Sequence, residues 1–180
     1  MAEEILESIK VKVTKKGVVV ENDQHLDELE RRGYGEQDGK KYLLTDYEAL
    51  YLGYIGRLEA YSRGKKLSIG DLVKRSLGKD RNAWTRFLIY RDLRSRGYVV
   101  KDGFGFNVDF RVYERGEFNV KPAKYVVFGL NEGTEMMVKE LAEAVKQIMR
   151  MGKEPVVAVI ERRGEVIYYK VTRTRFQHPS

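Results

Sequence analysis

One stretch of the chain combines two strand patterns with a turn between them. Asp109–Tyr113 alternates polar and apolar residues, which is typical of a half-buried strand. Glu114–Gly116 ends this strand, and the apolar, β-branched run Tyr125–Phe128 predicts a second strand. The stretch therefore predicts a strand–loop–strand unit, which constrains the second half of the chain to a fold that contains a sheet.

A tyrosine closes the first of these two strands. Arg111 and Arg115 lie close to Tyr113 in the sequence, and cations near a phenol lower its pKa. Tyr113 is therefore a candidate general base. The alternative is a structural role, because most strand tyrosines lie at the edge of a hydrophobic core.

Helices and strands follow one another around this unit. A helix from Asp80 to Ser95 carries interleaved arginines, which suit either a solvent-exposed face or a nucleic-acid contact. A second helix begins near Thr134 and ends at Gly152. The apolar run Val156–Ile160 predicts a central strand, which pairs with Val166–Val171 across a turn. The helix residues expected to be buried are Trp84, Phe87, Leu88, Tyr90, Leu93, Met137, Leu141, Ala144, Val145, Ile148 and Met149.

The first 79 residues predict a separate, small module. Two short strands, Ile9–Val13 and Val18–Val20, form a hairpin, and Asp23 is the expected cap of the helix that follows. Thr45 and Glu48 have the spacing of a capping box at the start of the next helix. Further strands are expected at Tyr42–Leu44 and Leu58–Tyr61, and a third helix at Ser68–Leu77. The helix residues expected to face the core are Leu26, Leu29, Leu50, Tyr51, Tyr54, Ile55, Ile69, Leu72 and Val73.

These patterns predict an α/β (α+β) protein of two parts. Residues 1–79 form a small N-terminal α/β module, and residues 80–180 form a C-terminal α/β domain with a mixed central sheet. The 180 residues are 42% apolar, with 12 tyrosines and 7 phenylalanines, which is enough for folded cores. No run of 18 apolar residues is present, and the acidic start differs from a signal peptide, so we expect a cytoplasmic protein without a membrane span.

The composition also limits the chemistry. The chain has no cysteine, which excludes disulfides and thiolate metal sites. Its two histidines, His25 and His178, are far apart in the sequence, which argues against a zinc site. We therefore expect no metal and no cofactor. The net charge of +7 suits a polyanion binder, but a surface with 34% charged residues is also typical of thermophilic proteins.

Several segments of the second half resemble the archaeal tRNA-splicing endonucleases. The segments are Arg91–Lys101 (RDLRSRGYVVK), Asp109–Gly116 (DFRVYERG), Lys153 before Val156–Glu161, and Gly164–Tyr169 (GEVIYY). The first half matches this family only in pattern, chiefly from Leu43 to Leu58. The resemblance implies a nuclease-like C-terminal domain. It also implies excision of introns from precursor tRNA at bulge–helix–bulge junctions, leaving 2′,3′-cyclic phosphate and 5′-hydroxyl ends.

Metal-free RNA cleavage requires a base, a cation and an acid. The resemblance assigns the base to Tyr113 and the charge-stabilising cation to Lys153. In the family the acid is a histidine just before the strand that begins at Tyr125. In this chain that position holds Pro122 or, one residue off, Ala123. Neither side chain can transfer a proton.

Basic residues around these positions are candidates for RNA contacts. Catalytic members of the family resemble one another in an arginine seven positions before the lysine, which helps to clamp a bulged base. This chain has Lys146 there, and lysine lacks the planar guanidinium that stacks on bases. The RNA-binding candidates are Arg111, Arg115, Lys124, Lys146 and Arg150.

The resemblance also implies a four-unit assembly. In the family, an acidic loop before the last strand pair docks into a basic cleft of a neighbouring unit, and C-terminal strands pair tail to tail. The corresponding loop here is Glu161, Arg162, Arg163, Gly164 and Glu165, which is only partly acidic. The missing histidine favours a structural subunit of an α2β2 heterotetramer, whose partners are precursor tRNA and a paralogous catalytic subunit.

Two alternatives stay open at this stage. The chain could itself be the catalytic subunit, with the acid supplied by water, a partner residue or His25. A non-enzymatic module that binds RNA or a protein partner on the same fold is the second alternative. Because a well-placed acid contributes roughly 10²- to 10⁴-fold in rate, its absence weighs against independent catalysis.

Overall fold

The computed structural model describes residues 8–21, 23–106 and 109–177. The chain divides into two compact units between Arg91 and Asp92. Each unit contains a sheet with both parallel and antiparallel pairs, so the predicted α/β class is confirmed. None of the helices in these ranges is both long and apolar enough to span a membrane. The sequence-based domain boundary at residues 79 and 80 stays a prediction.

Six strands form the sheet of the first unit. They are β1 (Ile9–Val13), β2 (Val18–Val20), β3 (Glu36–Asp38), β4 (Lys41–Leu44), β5 (Leu58–Ser62) and β6 (Lys65–Leu67). Their order in the sheet is β3-β4-β2-β1-β5-β6. β1 and β5 pair in parallel, and the other described pairs are antiparallel. The predicted hairpin of β1 and β2 is confirmed.

The first sheet has one buried and one exposed face. In β1 the side chains of Ile9, Val11 and Val13 are buried, while Lys10 and Lys12 between them are exposed. Successive side chains of a strand point to opposite faces, so Lys10 and Lys12 mark the solvent face. The core continues across the sheet through Val18, Val20, Tyr42, Leu44 and Ala60.

Four α-helices precede the strands of the second unit. They are α1 (Leu26–Arg31), which follows a 3-10 turn at Asp23–His25, α2 (Asp46–Tyr54), α3 (Ile69–Lys79) and α4 (Ala83–Ser95). Capping boxes begin two of them. In α2 the hydroxyl of Thr45 accepts from the N–H of Glu48, and in α3 Ser68 and Asp71 form the same pair.

The carboxylate of Glu48 is a buried link in the first unit. The side chain is only 1% exposed. One oxygen accepts from the N–H of Thr45 at 2.8 Å, and the other accepts from the N–H of Gly35 at 3.0 Å. Because Gly35 lies in the segment between α1 and β3, Glu48 connects the start of α2 to an earlier turn.

Five strands and one complete helix belong to the second unit, which also contains the end of α4, residues 92–95. They are β7 (Val99–Asp102), β8 (Asp109–Tyr113), β9 (Tyr125–Asn131), α5 (Val138–Arg150), β10 (Glu154–Ile160) and β11 (Val166–Lys170). The strand order is β11-β10-β9-β8-β7, with β9 and β10 parallel and the other pairs antiparallel. The predicted mixed sheet of the second half, including the pairing of the last two strands, is confirmed. Ile148 of α5 packs with Val126, Phe128 and Val157 to form a core cluster.

A buried carboxylate at the start of β8 holds residues 104 and 105, which follow β7. Asp109 is 3% exposed and accepts from the N–H of Phe104 at 2.6 Å and of Gly105 at 3.2 Å. A Cβ added at Gly103 would clash with this carboxylate, which explains the glycine there. Asp109 therefore links the first residue of the strand that ends at Tyr113 to the segment after β7.

The structure corrects several predicted helix ends and core residues. The N-cap of α1 is His25 rather than Asp23, α4 begins at Ala83 rather than Asp80, and α5 begins at Val138 rather than Thr134. The short strands β3 and β6 were not predicted. Six residues expected in the core are exposed because they lie at helix ends, where the apolar spacing continues beyond the packed face: Tyr54, Ile55, Ile69, Trp84, Met137 and Met149.

Replacing the buried carboxylate tests the link that Glu48 makes. We expect Glu48→Ala to lower the free energy of unfolding by about 3 kcal/mol, because two charge-assisted hydrogen bonds are lost from a buried site. Asp71→Ala is the matched control, since Asp71 holds the same capping position in α3 but is exposed. We expect about 1 kcal/mol for the control. Urea unfolding followed by circular dichroism measures both, and equal losses would contradict the buried role of Glu48.

The buried phenol of Tyr42 predicts an alkaline pH dependence. Its hydroxyl donates to the carbonyl oxygen of Tyr34 at 2.6 Å. Burial, with the carboxylates of Glu30, Glu48 and Glu36, raises the pKa of Tyr42 to about 12. Below pH 10 the phenol is protonated in both folded and unfolded chains, so its contribution is complete there. As the pH rises from 10 to 12 the unfolded chain ionises first, and stability falls.

We therefore expect Tyr42→Phe to reduce stability by about 1 kcal/mol at pH 7 through loss of the hydrogen bond. The same variant should lose less stability than the parent between pH 10 and 12. Thermal midpoints of both proteins across this pH range provide the measurement. A difference between the proteins that stays constant from pH 7 to 12 would contradict the assignment.

Candidate functional site

Strand pairing in the second sheet brings two predicted site residues to one edge. Tyr125, at the start of β9, lies opposite Val112 of β8 and opposite Glu154 of β10. Tyr113 follows Val112, and Lys153 precedes Glu154. Tyr113 and Lys153 therefore lie at the same edge of the sheet, with the segment before β9 between them.

Tyr113 is a half-buried residue at the end of β8. Its ring meets the ring of Phe118 edge to face, with centroids 5.0 Å apart and planes at 86°. Such T-shaped pairs are favourable and restrict ring orientation. The ring is thus positioned by the loop that follows β8.

Lys153 is held by the segment that lies before β9. Its Nζ donates to the carbonyl oxygen of Ala123 at 2.7 Å, and the side chain is half-buried. Its backbone N–H donates to the carbonyl oxygen of Ile148 in the last turn of α5 at 3.2 Å. An ammonium has three N–H donors, so the contact with Ala123 leaves donors for an anion.

The two residues predicted from the resemblance for the position of the acid, Pro122 and Ala123, have side chains that cannot supply a proton. Ala123 is 5% exposed, so its methyl group is packed inside the protein. Pro122 is exposed. The carbonyl group of this segment, rather than a side chain, faces the ammonium of Lys153.

A charged network lies beside this segment. Oε2 of Glu114 accepts from Nζ of Lys124 at 3.0 Å and from the hydroxyl of Tyr125 at 3.1 Å. Nζ of Lys124 also lies 5.0 Å from the centre of the Tyr125 ring. Hydrogen bonds from Lys124 and Tyr125 lower the pKa of Glu114, and hydrogen bonds with Tyr125 and Glu114 raise the pKa of Lys124. Lys124 is therefore a firmly charged cation and a weak proton donor.

Glu114 is not among the site residues that the sequence predicts. The sequence does contain a pattern that could have indicated this residue. The acidic Glu114 directly follows β8 and the basic Lys124 directly precedes β9, so the two residues flank the same connection. Opposite charges at the ends of two paired strands lie within reach of each other. The register of β8 and β9 was needed to recognise the pair.

The two predicted RNA-contact arginines near Tyr113 have partners within the unit. Nε of Arg111 donates to the carbonyl oxygen of Asp102 at 2.6 Å, and its guanidinium lies 5.7 Å from the centre of the Phe104 ring. The guanidinium of Arg115 lies 5.1 Å from the centre of the Tyr98 ring. Arg115 is exposed in the turn after β8. A guanidinium that stacks on an aromatic ring still has N–H groups along its own edge. These N–H groups can donate to phosphate oxygens.

Two further predicted RNA contacts lie on α5. Lys146 is half-buried and lines an open groove of about 420 Å³ between this helix and residues 171–173. Arg150 is exposed in the last turn, where the helix dipole favours a cation. Residues four apart share one helix face, so both cations project from the same side of α5.

The predicted docking loop lies at the other end of β10. Residues 161–165 join β10 to β11, and the N–H of Glu161 donates to the carbonyl oxygen of Glu165 at 2.9 Å. The N–H of Arg162 donates to Oε2 of Glu132 at 3.0 Å. Because β10 has seven residues, this loop is about 23 Å from Lys153 along the strand. The loop and the candidate site are separate features.

The chain has two histidines. His25 belongs to the 3-10 turn of the first unit, and His178 lies outside the described residues. In residues 8–21, 23–106 and 109–177, no cluster of three or more His, Cys, Asp or Glu side chains is arranged to hold a metal ion.

Comparisons with known proteins agree with the resemblance seen in the sequence. Residues 83–168 match the family model of the catalytic C-terminal domain of tRNA intron endonuclease, and residues 9–73 match that of its N-terminal domain. The tRNA-splicing endonuclease of Pyrococcus furiosus is 32% identical over 160 residues, which cover 88% of this chain and 92% of that protein. The tRNA-splicing endonuclease of Thermococcus onnurineus is 30% identical over 171 residues, which cover 94% of this chain and 99% of that protein.

A third relative, the tRNA-splicing endonuclease of Methanococcus vannielii, is 30% identical over 167 residues, which cover 91% of this chain and 93% of that protein. The similarity therefore extends through both units rather than through the second alone. Since the two family models and these relatives match nearly the whole chain, the protein belongs to the tRNA-splicing endonuclease family.

Proposed function

We propose that this chain is the structural subunit of a heterotetrameric tRNA-splicing endonuclease in the cytoplasm. Two copies assemble with two copies of a paralogous subunit that carries the catalytic histidine. The assembly excises introns from precursor tRNA at bulge–helix–bulge junctions and leaves 2′,3′-cyclic phosphate and 5′-hydroxyl ends. This chain holds the catalytic partner in place and contributes cations to the binding of RNA.

The proposal rests mainly on the residues of the segment before β9. The resemblance places Pro122 or, one residue off, Ala123 at the family position of the acid, and the carbonyl oxygen of the buried Ala123 accepts from the ammonium of Lys153. A cleavage site needs a group that protonates the departing 5′-oxygen. The segment offers no such group.

The neighbouring network supports the same proposal. Lys124 directly follows this segment, and Glu114 and Tyr125 hold it as a cation. Because its pKa is raised, transfer of its proton to a leaving alkoxide is disfavoured relative to transfer from an imidazolium. The network instead suits a fixed charge that contacts RNA phosphates.

The catalytic alternative has one observation in its favour. Tyr113 and Lys153, the family base and cation, lie at the same edge of the second sheet. In this alternative, water or a residue of another subunit supplies the proton. Cleavage by the isolated chain separates the two functions directly.

We expect the isolated chain to leave a bulge–helix–bulge RNA intact in EDTA. The histidine-bearing paralogue alone should also be inactive or nearly so, and the mixture should cleave at both junctions. Tyr113→Phe in this chain should change the rate of the mixture by less than about two-fold, whereas loss of a catalytic group costs roughly 10²-fold or more. The readout is single-turnover cleavage of end-labelled RNA.

Two results of this experiment would contradict the proposal. Cleavage by the isolated chain that disappears in Tyr113→Phe would assign catalysis to this subunit. A mixture in which the two proteins do not associate, measured by size-exclusion chromatography with light scattering, would exclude the heterotetramer.

A second prediction concerns the structural use of Lys153. Lys153→Met removes the hydrogen bond to Ala123 while keeping most of the apolar side chain. We expect a loss of about 1–2 kcal/mol in the free energy of unfolding and an unchanged cleavage rate of the mixture. Lys139→Met is the matched control, because Lys139 is an exposed lysine in the first turn of α5. A large loss of rate with unchanged stability would show that Lys153 acts on the RNA.

A further inference from the structure

The exposed face of the first sheet carries a cluster of cations that the site described above does not use. In β1, Lys10 and Lys12 project to this face because Ile9, Val11 and Val13 fill the core. Residues two apart on a strand are about 7 Å apart, so the two ammonium groups can reach separate anions. Arg63 lies at the hairpin between β5 and β6, and β5 pairs directly with β1.

These residues form an open groove of about 470 Å³. It is lined by Lys10, Lys12, Glu21, Tyr61, Arg63 and Gly64. The lining therefore has three cations and one carboxylate. Of these six described residues, only Tyr61 offers an extended apolar surface, whereas the centres of protein–protein interfaces are depleted of charge and rich in apolar groups.

The nearby carboxylate of Glu59 is already neutralised. Nζ of Lys66 lies 3.1 Å from its Oε1, and the hydroxyl of Tyr61 donates to its Oε2 at 3.0 Å. By contrast, neither Lys12 nor Arg63 forms an ion pair with any residue that the structure describes. Two cations on this face thus remain for an external anion.

The backbone of Arg63 adds a second, independent observation. Its φ is 49° and that of Gly64 is 78°, which are the positive values of a two-residue hairpin turn. Asparagine, aspartate or glycine normally occupies the first of these positions, and a long side chain there costs roughly 1 kcal/mol or more. A Cβ added at Gly64 would meet nothing within 4 Å, so the turn projects into open space. The chain therefore holds an arginine at a strained, open hairpin tip beside the groove.

We infer that this groove binds the phosphate backbone of precursor tRNA outside the cleavage junction. The inference rests on the proposed function, because it takes precursor tRNA as the ligand. Lys10, Lys12 and Arg63 contact phosphates, and the carboxylate of Glu21 lines the groove without cancelling their charge. Phosphate contacts of this kind are insensitive to sequence and strengthen binding at low salt.

The test compares two triple variants of the full-length chain. Lys10→Gln/Lys12→Gln/Arg63→Gln removes the groove cations, and Arg31→Gln/Lys40→Gln/Lys74→Gln removes three exposed cations on α1, the β3–β4 turn and α3. Binding of labelled full-length precursor tRNA is measured by fluorescence anisotropy from 50 to 300 mM salt. We expect the groove variant to bind about tenfold or more weakly at 100 mM salt, with a salt slope shallower by about two. The control variant should match the parent.

Cleavage by the assembly separates this inference from the proposed function. With the groove variant in the mixture, a minimal bulge–helix–bulge hairpin should be cut at the parental rate, while subsaturating full-length precursor should be cut more slowly. If the parental mixture cuts neither RNA, the proposed function fails, whereas the anisotropy result still decides the groove. Equal RNA binding by the parent and the groove variant would overturn the inference. This holds even if the groove variant has lost binding to an acidic protein.

Discussion

Strands β9 and β10 pair in parallel from Tyr125 and Glu154 to Asn131 and Ile160. A parallel pair needs a crossover connection, which α5 provides by packing Ile148 against the sheet. The same crossover starts β10 beside the start of β9, and the antiparallel return of β8 brings its last residue to that edge. The site thus depends on a core cluster that lies away from it. We expect loss of the packing of Ile148 to change the position of Lys153 relative to Tyr113.

The site residues at this edge of the sheet contact other residues of the same unit. Ala123 holds Lys153, Glu114 holds Lys124, and Phe118 positions Tyr113. Each of these three groups, Lys153, Lys124 and Tyr113, therefore has a structural partner. This arrangement is consistent with a subunit that has the fold of the nuclease family and in which these residues stabilise the edge of the second sheet. The first unit, with cations on an exposed sheet face, supplies a second basic surface on the same chain.

The sequence predicted elements whose pattern is strong and local. The alternation in Asp109–Tyr113, the apolar run of β10 and the capping box of Thr45 all specify their structures through residues near in sequence, and each is confirmed. Helix ends were less predictable, as Met137 shows, because apolar spacing continues past the residues that pack. The link between Glu114 and Lys124 depends on strand register, and the strain at Arg63 depends on backbone angles. Neither is visible in composition or periodicity.

We propose that the scissile phosphates are held by the partner subunit and not by this chain. A structure of the assembly with precursor RNA that carries 2′-deoxy nucleotides at both cleavage sites tests this most directly, since the RNA then lacks its nucleophile and stays intact. We expect both scissile phosphates in sites formed by the histidine-bearing subunit, with Tyr113 and Lys153 of this chain in contact with neither. A scissile phosphate bound between Tyr113 and Lys153 would contradict it.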